Sequence, residues 1–150
     1  MGRRYTASGS AAVGTDKTII TVVSATTIRP EVQEIVVGCS ATPADQAGKF
    51  LVQRFTAAGT AGSSPTPEPH DPNDPAALAA AGAGVFTVEP TYTSGKILLT
   101  LGLHQRASFR WAASPGRGLK APATAANGLG LKSSANTGTA SHDGCLMWEE

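Results

Sequence analysis

Thr18-Ile19-Ile20-Thr21-Val22-Val23-Ser24 places six β-branched residues in seven positions. Such side chains are stiff at χ1 and fit a pleated surface better than a helix. The run has the length of one strand. Thr26-Thr27-Ile28-Arg29-Pro30 closes it as a turn-like link, because a proline cannot donate to a ladder. The stretch reads as a strand, and the chain on either side repeats its pattern.

On the C-terminal side, residues 32–40 (Val-Gln-Glu-Ile-Val-Val-Gly-Cys-Ser) form a second strong strand pattern, with a wholly apolar centre at Val36 and Val37. Residues 42–48 read as a turn, with Pro43 early, Asp45 central and Gly48 last. Residues 49–56 alternate, Phe50, Val52 and Arg54 on one face against Leu51, Gln53 and Phe55 on the other. The short turn predicts that these two strands pair as an antiparallel hairpin. Further strand patterns cover 84–88, 96–103, 105–112, 119–121, 128–134 and 145–149. In 105–112, Arg106, Ser108 and Arg110 oppose Ala107, Phe109 and Trp111. Gly128-Leu129-Gly130-Leu131 leaves one face without side chains, which suits a close neighbour. Cys145-Leu146-Met147-Trp148 is apolar enough to be tied into a sheet. The pattern amounts to eight or nine short strands with no βαβ alternation. It predicts an all-β fold: a jelly-roll-like antiparallel β-sandwich of about eight strands, residues 17–150, in one domain.

On the N-terminal side, residues 1–16 are polar and small and read as an arm or an edge strand. Between the two halves, 59–83 forms a long Pro-rich insertion loop. It carries Pro65, Pro67, Pro69, Pro72 and Pro75, half of the chain's 10 prolines. Residues 76–83 have the best helix composition in the chain, with Asp74 as N-cap and Pro75 at N1, and predict a short helix ended by Gly82 and Gly84. A connection this long in a small domain is a functional or disordered segment, and its prolines predict a stiff one, ordered by a partner.

Charged residues are 15% of the 150, and the net charge is +1. That gives no bulk case for nucleic-acid or membrane binding, and no window approaches the roughly 18 apolar residues of a membrane span. Met1-Gly2-Arg3-Arg4-Tyr5 is not followed by the apolar run of a secretory signal. Cys39 and Cys145 fit no metal or redox spacing and read as small buried apolar residues. His70, His104 and His142 lack the i, i+2 or i+4 spacing of a metal site. His142-Asp143-Gly144 reads as a turn before the last strand. No Gly-x-Ser-x-Gly elbow is present, so the expectation is no enzyme and no cofactor. A hydrolase reading would need His70 or His142 beside a Ser or Cys nucleophile. A carbohydrate-binding β-sandwich module is the second reading; it needs at least one of Tyr5, Tyr92, Trp111 and Trp148 exposed in a concavity.

A β-rich run ending in Arg54-Phe55-Thr56 leads into Gly62-Ser-Ser-Pro-Thr-Pro-Glu-Pro-His-Asp-Pro-Asn-Asp-Pro-Ala-Ala77, and the chain ends in Leu146-Met-Trp-Glu-Glu150. This resembles a group of small jelly-roll virion proteins of tailed bacteriophages, of the capsid decoration or cement type. The resemblance implies a structural protein on the capsid surface, assembled in the host cytoplasm and bound to the major capsid protein. It implies no catalytic residues. A shell of icosahedral symmetry favours a homotrimer. Under this reading the contacts fall on Arg3, Arg4 and Tyr5 of the arm and on Pro65, Pro67, Pro69, Pro72 and Pro75 of the loop.

Overall fold

The structure is a computed structural model that describes residues 2–12, 14–135 and 140–150. Its strands are β1 (Arg4–Ala12), β2 (Thr18–Val23), β3 (Glu31–Ala41), β4 (Ala47–Ala57), β5 (Glu68–Pro69), β6 (Ala80–Ala83), β7 (Thr91–His104), β8 (Phe109–Ala112), β9 (Leu119–Lys120), β10 (Gly128–Ala135) and β11 (Ser141–Glu149). All strand pairs are antiparallel. One sheet runs β5-β1-β11-β3-β8, with β9 also on β3; the other runs β6-β2-β10-β4-β7. Set aside the short β5, β6 and β9, and eight strands remain. In chain order the first, eighth, third and sixth form one sheet, and the second, seventh, fourth and fifth form the other. That is the order of a jelly roll, and the expected fold class holds.

The β-branched run of β2 is buried at five of its six positions. Ile19, Ile20 and Val22 meet Ile35, Val37, Leu146 and Trp148 of the facing sheet in one core. Strands β1 and β11 contribute by alternation: Tyr5, Ala7 and Ala11 from the first, His142, Gly144, Leu146 and Trp148 from the second point inward. A second, smaller layer lies outside the β4 sheet. There the rings of Phe55 and Tyr92 meet edge to face at 6.0 Å between centroids. They lie over Gly130 and Gly128, where an added Cβ would collide with the Tyr92 hydroxyl or the Phe55 ring. The expected close neighbour of the Gly-Leu-Gly-Leu stretch is this aromatic pair.

Several expectations are corrected. Residues 4–12 of the segment expected as an arm or an edge strand (1–16) are a strand in register with β11 from Arg4↔Glu149 to Ala12↔Ser141 and carry β5 on their outer side, so they are neither a free arm nor the edge; Met1 and Val13 of that segment lie outside the described residues. β3 and β4 do not form a hairpin, because the short turn between them crosses from one sheet to the other. Each strand has an apolar inner face, and facing sheets bury both faces where side-by-side strands would not. Residues 76–83 form no helix: Ala80–Ala83 pairs with β2 as β6. Alanine's helix preference is under 1 kcal/mol per residue over its neighbours in rank, and strand pairing buries Ala81 and Ala83. Residues 84–88 make only a bridge from Val88 to Thr60. His142-Asp143-Gly144 is not a turn but the interior of β11.

Candidate interaction surface

The Pro-rich segment is not a free loop. It is a strap laid along one edge of the sandwich. Residues Glu68 and Pro69 pair with Thr6 and Tyr5, which extends the β1 sheet by one short strand. The next amide, His70 N–H, donates to Arg4 O at 2.8 Å. The chain then turns: Asn73 N–H donates to Asp71 Oδ1 at 2.9 Å, and Asp74 N–H to Asp71 O at 2.9 Å. This is the side-chain chemistry by which Asp starts a turn. The strap returns through β6 to the edge of the other sheet. It therefore closes both sheets at the same side.

Four contacts hold the returning limb. Tyr5 Oη–H donates to Pro75 O at 3.0 Å. Arg3 pairs with Asp74 at 3.4 Å. Glu150 accepts from Leu78 N–H at 3.0 Å through Oε2, and from Ala79 N–H at 2.9 Å and Trp148 Nε1–H at 3.0 Å through Oε1. The backbones of Arg3 and Glu150 exchange two hydrogen bonds of 3.0 and 2.9 Å. The two ends of the described chain and the strap thus meet at one corner. Burial and the Glu150 carboxylate both push the Tyr5 phenol above its ordinary pKa, so it stays a donor.

Beside this corner is a groove of about 650 Å³ lined by Arg4, Glu34, His70, Asp71, Asp74 and Glu149 among others. Carboxylates outnumber the bases. Arg110 donates to Glu34 Oε2 at 2.8 Å and holds that carboxyl below its usual range. Glu149 Oε1 accepts Gly2 N–H at 2.8 Å. Among the described residues, no group of three or more His, Cys, Asp or Glu is placed to hold a metal ion.

The residues read from the sequence as contacts divide. Arg3 and Arg4 meet the strap at Asp74 and His70, and Pro69 and Pro75 are held against Tyr5. Arg4, Pro72 and Pro75 are exposed, while Pro65, Pro67 and Pro69 are half-buried. Arg3 is half-exposed but committed to Asp74. Tyr5 is a correction: at 2% exposure its ring lies in the core, 6.3 Å from Trp148 between centroids. It positions the strap and presents nothing to a partner. The strap's order comes from its own chain, not from a partner as expected. Glu150 and Leu78 are not among the expected contacts, and Asp74 was expected only as a helix N-cap. The opposed charges of Arg3-Arg4 and Glu149-Glu150 at the two ends were the available signal; Leu78, 61% exposed on the strap, had none.

Of the four aromatic residues, at least one of which a glycan site would need exposed, Tyr5 and Trp148 are buried, and Tyr92 and Trp111 are half-buried. Trp111 packs on the core. His142 Nδ1 lies 3.2 Å from Ala140 O, and the ring packs tilted against that of Phe50. Cys39 and Cys145 are free thiols, half-buried. Comparison of the chain with known sequence families, with curated proteins and with solved structures finds no match.

Proposed function

We propose that this chain is a structural virion protein of a tailed phage that decorates the capsid by binding the major capsid protein through the strap corner. One observation carries the reading: the Pro-rich segment is held in place before any partner arrives, by β5, Tyr5, Asp74 and Glu150. A surface already ordered loses little conformational entropy on docking. It offers exposed Pro72, Pro75 and Leu78 beside Arg4 and the acid-lined groove. An apolar contact flanked by carboxylates suits a stretch of capsid subunit that carries an apolar side chain and basic or amide donors. The resemblance of 62–77 to small phage virion proteins points the same way.

The test uses purified heads that lack the protein. Full-length chain added to them should co-sediment and appear as regular surface density. Leu78→Asp and Arg4→Glu, both at exposed positions, should each cut occupancy at least tenfold while the far-ultraviolet spectrum stays unchanged. Normal occupancy with both substitutions combined would remove the strap corner from the reading.

A further inference from the structure

Three of the four sheet edges end on short strands. β5 and β6 supply two and four residues, β8 and β9 four and two. The fourth edge is β7, with 14 residues. Long open edges template pairing with another chain, and proteins blunt them with bulges, charge, proline or brevity. The first half of β7 carries such devices. Its register against β4 shifts three times between Val52 and Ala57, Gly95 has φ 71°, and Lys96 is exposed. The second half has none. Leu99 to His104 runs in unbroken register against Val52 to Ala47, and no Asp, Glu, Lys or Arg stands between Lys96 and Arg106.

Hydrogen-bond parity shows what this edge offers. Gln105 N–H donates to Gln46 O at 2.9 Å, one step beyond the His104↔Ala47 pair. Antiparallel pairs alternate between bonded and non-bonded. Leu99, Leu101 and Leu103 therefore bond to β4, while Thr100 and Gly102 point N–H and C=O away from the sheet. Leu101 is buried, Leu99 and Leu103 are half-buried against the core, and Thr100 and Gly102 are exposed.

We propose that residues 99–103 of β7 pair antiparallel with the same segment of a second copy, about a two-fold axis at Leu101. Thr100 of each copy then exchanges hydrogen bonds with Gly102 of the other. Leu99 faces Leu103, and Leu101 faces its counterpart. The segment is symmetric about Leu101 in its three leucines, so the inner faces form one ladder of leucines that runs from core to core. An isologous interface requires this self-complementarity. A second copy fits better than an unrelated strand, because the uncharged stretch meets its own uncharged stretch with leucine against leucine throughout. The pairing makes the free protein a dimer, where the phage resemblance implied a trimer. It is independent of capsid binding, which uses the opposite edge of the sandwich.

Sedimentation equilibrium of the full chain, from about 1 µM to about 1 mM, should move from one chain mass to two. With no ion pair across the interface, the association should change less than about threefold between low and high salt. Gly102→Pro removes an outward N–H, and a Cβ there meets nothing within 4 Å, so this variant should stay a single chain with an unchanged spectrum. Hydrogen exchange on the unaltered protein gives a second readout. Thr100 and Gly102 amides should be slow in concentrated solution and fast on dilution, while Leu99, Leu101 and Leu103 amides stay slow in both. A single chain at every concentration, a three-chain species, a dimer that survives Gly102→Pro, or Thr100 and Gly102 amides indifferent to dilution would each overturn the proposal.

Discussion

At the scale of single residues, His142 is the side chain with the sharpest consequence. It is fully buried, its ring tilted against that of Phe50 at 5.1 Å between centroids, and among the described residues its Nε2 has no hydrogen-bond partner. Burial lowers its pKa, against smaller opposing effects of the Ala140 carbonyl and Asp143. The unfolded chain takes up a proton at this ring below about pH 6.5, and the folded chain resists it. Unfolding therefore binds a proton in that window, and acid favours it. Stability is present above the ordinary histidine range and falls as pH drops through it. Thermal melts from about pH 7.5 to about pH 5, which spans the ordinary histidine range, should show a declining midpoint, and His142→Leu should flatten the decline. An equal slope in the variant would assign it to the carboxylates. Nothing in the local sequence marked His142 as buried. A histidine before Asp-Gly reads as a turn, and only its register against Cys39 and Ala11 puts it inside.

At the scale of elements, the strap is the unit whose behaviour the sequence described only in part. Its prolines predict stiffness; what the structure shows is a segment held at both limbs by hydrogen bonds and an ion pair. The source of order was not readable, because it lies in Tyr5 and Glu150, some seventy residues away on either side. Glu150→Ala leaves the Trp148 indole N–H and the Ala79 amide without their acceptor. An unsatisfied buried donor costs about 1–3 kcal/mol, so the urea midpoint should fall accordingly, and proteolysis within 64–78 should accelerate. An unchanged cleavage rate would mean that β5 alone holds the strap. The first strand is only half legible for a related reason. Tyr5, Ala7, Gly9 and Ala11 alternate with Thr6, Ser8 and Ser10, but alanine and glycine give little hydrophobic contrast. The alternation was present and faint. In 76–83 the local preference was real but weak, and edge pairing with β2 overrode it.

At the scale of the whole molecule, the strap closes one side of the sandwich and leaves β7 as the long edge on the other. Replacing residues 64–75 by a Gly/Ser tract of equal length removes β5 and uncovers the β1 edge. The expected outcome is a lower unfolding midpoint and slow aggregation, with β7-mediated association intact in the soluble fraction; light scattering and sedimentation read the two separately. Loss of the dimer in that variant would tie self-association to the strap after all. What the sequence by itself determined is the class of fold. β-branched runs such as 18–23, the alternation of 49–55, and turns rich in Gly and Pro specify strands with at least one buried face, and such strands bury it in a sandwich or a barrel. The tertiary structure decided the partners. Which sheet each strand joins, that β3 and β4 face each other instead of pairing, that Tyr5 is an internal anchor, and which amides of β7 point outward all depend on contacts between distant residues. Side-chain period tells a strand which face to hide. It does not tell the strand what lies beside it, because backbone hydrogen bonds are the same at every position.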